Sequence, residues 1–179
     1  MNQNFVKVNE NNLDVSIDLR YASENNFTGE KVFFSNTCFL HKVAYEHLCK
    51  AVEISKKLGF KLKIFDAYRP TYVQKKLWEF LPDPNFIAHP EKGSPHSRGV
   101  ALDLTITKEG KELDMGTEFD EFSKLSYHGS LDISDVAYKN RVILLGIMTD
   151  SGWDFYRNEW WHYQLFNSKN YQIVENFLE

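Results

Sequence analysis

The sequence predicts an α+β domain. Two long segments carry apolar residues at helical spacing, and several short stretches alternate apolar and polar positions as half-buried strands do. Between them lies a proline-punctuated segment too long for an ordinary connection, which reads as a functional loop.

The elements follow in order. Val15, Ile17, Leu19 and Tyr21 alternate with more polar neighbours and suggest a first strand, broken by the loop Asn25-Asn26-Phe27-Thr28-Gly29. From Val43 to Leu58 the positions Val43, Ala44, Leu48, Ala51, Val52, Ser55 and Leu58 keep helical spacing, and Gly59 supplies a left-handed stop. Phe60, Leu62 and Ile64 resume period two. Pro70 then stands where the first turn of a helix running to about Phe80 accepts it. Pro82, Pro84, Pro90 and Pro95 exclude regular structure up to His96. A strand is expected from Val100 to Ile106, a turn near Glu109-Gly110, a helix from Asp135 to Thr149 capped by Ser134, and a last strand from Trp160 to Phe166.

A chain of 179 residues buries one sizeable core, so residues 1–179 read as a single domain. Its hydrophobic content of 42% with 26% charged residues suits a globule with a solvated surface. The net charge of −4 and the lack of a Lys/Arg cluster argue against nucleic acid as a partner. No stretch is long and apolar enough for a bilayer, and the start lacks the pattern of a secretory signal. The expectation is therefore a cytoplasmic protein without a membrane partner. Cys38 and Cys49 form no C-x-x-C pair and read as buried free thiols, with a disulfide as the alternative.

Chemistry concentrates in two clusters. In Ser94-Pro95-His96-Ser97-Arg98-Gly99-Val100-Ala101-Leu102-Asp103 an imidazole in a loop precedes a carboxylate in a strand, and both are good zinc ligands. Gly99, Ala101 and Asp103 are expected on one strand face, kept open by the two small residues. Alone, the pair reads more simply as a turn histidine with an exposed or capping aspartate. In Glu159-Trp160-Trp161-His162 a carboxylate and an imidazole stand beside two rings able to exclude water. Positions three apart face opposite sides of a regular strand, so Glu159 must lie in a bend for both to reach one metal. Alone, this cluster fits a core tryptophan pair with a solvated charge equally well.

Taken together, His96, Asp103 and His162 make a His₂Asp set, which leaves the fourth tetrahedral position of a zinc ion open, as in catalytic sites. Zinc there would acidify water and polarise a scissile carbonyl, and Glu159 would take the proton and pass it to the leaving amine. Arg69, in the Asp66–Pro70 loop, is the natural partner for an oxyanion, because its charge cannot be neutralised. A surface ion pair is the other reading of Arg69. His41, His47, His89 and His128 need no metal; His128, before Gly129, is the best substitute ligand.

These residues resemble the VanX-like D-alanyl-D-alanine dipeptidases within the zinc D,D-peptidases. The resemblance includes Asp18-Leu-Arg-Tyr21-Ala, Asn26-Phe-Thr-Gly29, Asp66-Ala-Tyr-Arg69-Pro70 and Asp114-Met-Gly-Thr-Glu-Phe-Asp120, and so spans most of the chain. It implies a zinc D,D-peptidase, hedgehog-like fold: a small, mainly antiparallel sheet carrying the metal ligands, flanked by helices beginning near Val43, Thr71 and Asp135. It implies hydrolysis of D-alanyl-D-alanine, with zinc on His96, Asp103 and His162, Glu159 as base and Arg69 steadying the intermediate. Tyr21 and Asp120 would hold the dipeptide's ammonium, and Ser94 would line the pocket near its carboxylate. Two positions depart from the family pattern: Ala67 stands where glycine is usual, and a pocket tyrosine expected after Gly29 is replaced near Phe34. A D,D-carboxypeptidase or peptidoglycan endopeptidase is the nearest enzyme alternative, and a non-catalytic zinc-stabilised binding module is the alternative of another class.

Overall fold

The computed structural model describes residues 4–175. Along the chain come β1 (Phe5–Lys7), β2 (Val15–Ile17), β3 (Phe39–His41), α1 (Lys42–Lys57), β4 (Lys61–Asp66), α2 (Thr71–Phe80), β5 (Ala101–Lys108), β6 (Lys111–Glu112), α3 (Asp135–Asp150), β7 (Trp153–Phe155) and β8 (His162–Leu165). Strands β2, β4, β5, β8 and β7 form one sheet in that order, with β6 paired to β5. The β2–β4 pairing is parallel, and the β4–β5, β5–β6, β5–β8 and β7–β8 pairings are antiparallel. Strands β1 and β3 make a separate antiparallel pair.

Helix α1 buries Ala44, Leu48, Ala51, Val52 and Ser55, a stripe at helical spacing that lies against β4. It stops at Leu58, where Gly59 takes φ +80°, a conformation costly for residues with a Cβ. Helix α3 starts at Ser134, whose hydroxyl accepts from the Ala137 N–H at 3.1 Å. Every residue of β5 from Ala101 to Thr107 is buried, as suits a strand flanked in the sheet by β4 on one side and by β8 on the other. Leu62, Ile64, Leu102, Leu104 and Ile106 form the middle of the core, and each stabilises by about 1.5–3 kcal/mol through its burial. A second cluster, with Tyr21, Phe33, Val73, Leu77 and Ile87, lies where α2 meets the loops. Among the described residues no helix is long and apolar enough to cross a membrane.

Several expected boundaries differ. The first strand ends at Ile17, and Tyr21 sits in a 3-10 turn over Arg20–Ala22. Its ladder runs out with the Asp18 N–H bond to the Ile64 carbonyl, after which Arg20 turns back to pair with Asp18 and Glu112. The last strand is His162–Leu165, and Trp160 and Trp161 belong to the turn before it. Gly99 is not a strand residue: at φ +68° it closes the 3-10 turn His96–Arg98. An added Cβ would lie 2.3 Å from a Phe5 ring atom and 3.1 Å from the His41 nitrogen, so its small size admits β1 and β3 rather than opening the site. The expected turn at Glu109-Gly110 has positive φ at both residues, 53° and 78°, as a tight hairpin requires, and it returns the chain as β6.

Candidate metal centre and active site

Three adjacent strands deliver the central groups. Asp66 at the end of β4 pairs with Asp103 of β5 after a register shift, and Asp103 pairs with His162 at the start of β8. Partners in register project to the same face, so these three form a row across the sheet. His96 joins them from its 3-10 turn, which the Arg69 N–H ties down through the His96 carbonyl at 3.2 Å. Glu159 lies in the β7–β8 connection, where its N–H bonds to the Tyr156 carbonyl at 3.2 Å, and this turn supplies the bend that the sequence spacing demanded.

The ligand atoms converge. Asp103 Oδ1 is 3.0 Å from His162 Nδ1 and 3.3 Å from His96 Nε2, and the two nitrogens are 3.2 Å apart. The remaining ring nitrogens are committed as donors: His96 Nδ1 to the Ala67 carbonyl at 2.7 Å, and His162 Nε2 to Gln164 Oε1 at 3.2 Å. In neutral rings the converging atoms are therefore all lone-pair acceptors, a set that needs a cation at its centre. Ligands about 2.0–2.1 Å from a tetrahedral zinc are separated by roughly 3.3 Å, close to the spacing found. The three residues are buried and form a group able to hold a metal. The donor set and spacing fit zinc.

The surrounding charges are sharply differentiated. Burial alone would raise the Asp103 pKa, but the adjacent imidazoles outweigh it and hold the carboxyl well below the usual carboxylate range. Burial, followed by the charges of Asp103 and Asp120, pushes the Glu159 carboxyl well above its ordinary value. The Asp120 carboxyl is likewise raised, first by burial and then by Asp103. Its Oδ1 accepts from the Tyr21 hydroxyl at 3.0 Å, while its buried Oδ2 has no hydrogen-bond partner among the described residues. Asp120 also has φ +63°, a strained conformation for a residue with a Cβ. Arg69 is buried; its Nε donates to Asp66 at 2.8 Å and its Nη1 to Gln74 at 3.1 Å. Its guanidinium also lies 4.9 Å from the centre of the Tyr21 ring.

All eight residues singled out in the sequence, Tyr21, Arg69, Ser94, His96, Asp103, Asp120, Glu159 and His162, line one cavity of about 220 Å³. That is below the usual range for drug-sized ligands and suits a small one. Phe34 is outside it, 68% exposed, with Lys31 and Lys76 over its ring. His128 also stands apart from the cluster, its ring packed on Phe155 and Tyr163. Cys38 and Cys49 are both free; Cys38 is buried as expected, whereas Cys49 is only half-buried. Gln74, Phe86, Phe122, Tyr156 and Gln164 also line the cavity and were not singled out. Of these only Gln164 carried a signal, lying two residues after His162 and hence on the same strand face.

A His₂Asp cluster facing a buried carboxylate and an arginine in a small cavity is the arrangement of a metallopeptidase. Residues 1–178 match the M15 peptidases, described as D-ala-D-ala dipeptidase, and the chain belongs to this family. The D-alanyl-D-alanine dipeptidase of Escherichia coli (strain K12) is 40% identical over 162 residues, covering 90% of this chain and 84% of the relative. That of Enterococcus faecium is 34% identical over 170 residues, covering 83% and 84%. That of Streptomyces coelicolor is 30% identical over 187 residues, covering 92% and 93%.

Proposed function

We propose that the protein hydrolyses D-alanyl-D-alanine to two D-alanines, with zinc held by His96, Asp103 and His162. When bound, zinc supplies Lewis acidity, which polarises the scissile carbonyl and acidifies water. Glu159 takes the proton of the attacking water. Its raised proton affinity suits it to hold that proton until the leaving amine needs it. Arg69, fixed by Asp66 and Gln74, keeps its charge against the developing oxyanion without having to reorganise.

The same reading places the substrate's two ends. Asp120 Oδ2, without a hydrogen-bond partner among the described residues, offers a buried carboxyl that the free ammonium would hold ionised, and the Tyr21 hydroxyl, already donating to Oδ1, has lone pairs left to accept from it. The Ser94 oxygen accepts from the His96 N–H at 3.2 Å, which leaves its hydroxyl proton for the substrate carboxylate. A buried anion at the amino end favours a free dipeptide over an acylated one.

The observation that carries this reading is that the three converging acceptor atoms, the buried Glu159 and the half-satisfied Asp120 all face one small cavity. The test is release of D-alanine from D-alanyl-D-alanine by the purified protein, before and after chelation and zinc readdition. Turnover lost on chelation and regained with zinc is expected. Preference for an amino-blocked peptide would instead support a carboxypeptidase, and zinc-dependent stability without turnover on any D-peptide a binding module.

A further inference from the structure

The cavity has a roof that none of the catalytic roles requires. Residues 82–88 form a compact turn in which Asp83 Oδ1 accepts from the Asn85 N–H and Nδ2, both at 2.9 Å, and the Asp83 carbonyl accepts from the N–H groups of Phe86 and Ile87 at 3.1 and 2.8 Å. Gln74 Nε2 anchors one end through the Ala88 carbonyl at 2.7 Å. At the tip the Asn85 carbonyl accepts from the Tyr156 hydroxyl at 2.8 Å and from Asn158 Nδ2 at 3.2 Å, two residues of the β7–β8 connection that carries Glu159. Beneath this bridge Phe86 lies 5.1 Å from Phe122, two residues beyond Asp120, so the roof closes over the end of the cavity where the ammonium is assigned.

We propose that Tyr156 and Asn158 determine substrate length: by latching the Asn85 tip they hold Phe86 against Phe122 and bar any peptide that continues past its amino end. The inference rests on the dipeptidase reading and adds to it a mechanical barrier distinct from the charge of Asp120. A longer peptide must break both bonds to Asn85 and separate the two rings, whereas a free dipeptide fits beneath the closed roof. Two hydrogen bonds of ordinary net strength correspond to about tenfold in the closed-to-open ratio.

The experiment removes the two donors while keeping the Tyr156 ring, in Tyr156→Phe/Asn158→Ala. Turnover of tri-D-alanine relative to D-alanyl-D-alanine, as a ratio of kcat/KM, is compared with the unmodified protein. Asp120 is common to both proteins, so its preference for a cation cancels. The ratio should rise about tenfold, and about threefold in Asn158→Ala alone, which serves should the double variant fail to fold. An unchanged ratio in a variant that still splits the dipeptide overturns the latch. Calorimetric binding of tri-D-alanine to the zinc-loaded protein separates the two readings. Absence of dipeptide turnover in the unmodified protein would defeat the dipeptidase reading, while the latch still stands or falls on whether the variant binds the tripeptide more tightly.

Discussion

The Glu159 carboxylate lies 3.9 Å from His162 Nδ1, although the two residues are three apart on the way into a strand. The β7–β8 connection makes this possible by turning at Tyr156 and again at Glu159, whose carbonyl accepts from the His162 N–H at 3.4 Å. The proposed base and the proposed metal ligand thus come from one turn, which also carries the buried Trp160 and Trp161.

Replacing Glu159 with Gln keeps the shape and removes the proton acceptor. Turnover should fall by about 10²–10⁴-fold with zinc content unchanged, since Glu159 is outside the proposed ligand set. D-alanine release and elemental analysis on the same sample check both halves. Undiminished turnover would remove Glu159 from the mechanism.

Asp120→Asn deletes the anion but keeps a hydrogen-bonding side chain for Tyr21. A charge-assisted bond of about 1.5–3 kcal/mol is lost, so kcat/KM for the dipeptide should drop about 10- to 100-fold. Discrimination against the analogue lacking the amino group should shrink by a similar factor. Steady-state kinetics on the two substrates decide it, and unchanged discrimination would place the ammonium elsewhere.

His128 gives the fold a pH dependence. Burial first, then the charge of Arg141, push its pKa down to about 4, against a backbone bond to Glu159 that raises it. The folded state therefore prefers the neutral ring. The stability this confers is fully present above about pH 6.5 and is lost as pH falls towards the folded value. The loss should amount to about 3 kcal/mol at most. Urea unfolding between those pH values should show a shallower decline in His128→Gln than in the unmodified protein.

Arg141 of α3 is buried with no carboxylate at ion-pair distance among the described residues, and donates instead to the carbonyls of Met115, Leu125 and Tyr127 at 2.6, 2.8 and 3.1 Å. It thereby holds the segment that carries Asp120. Arg141→Met would take the side-chain donor from the Met115 and Leu125 carbonyls, while the Tyr127 carbonyl keeps the Ser130 N–H at 3.1 Å, and should cost about 2–5 kcal/mol in urea unfolding. Arg141→Lys should recover only part of it, because one ammonium cannot reproduce the planar fork.

What the sequence revealed followed from local pattern. The helices α1, α2 and α3 were legible because their buried stripes lie within each segment, with Gly59 to stop α1 and Ser134 to cap α3. The eight residues that share the cavity were singled out from the chemistry of the two ligand clusters and of the Arg69 loop, and from a family resemblance that joined motifs far apart in the chain. Pairings that exist only in three dimensions stayed hidden. Strands β1 and β3 have three residues each and owe their form to one another and to the space at Gly99. Tyr21 reads as strand by alternation yet turns away once the β2–β4 ladder ends. Phe86, Phe122 and Tyr156 are ordinary aromatic residues whose position at the cavity comes from contacts between distant loops.

The most direct test is anomalous diffraction at the zinc edge from crystals of the zinc-loaded protein. One strong peak is expected about 2.0–2.2 Å from His96 Nε2, Asp103 Oδ1 and His162 Nδ1, with the Glu159 carboxylate beside it but outside bonding distance. A peak on any other set of side chains, or none at these three, would contradict it.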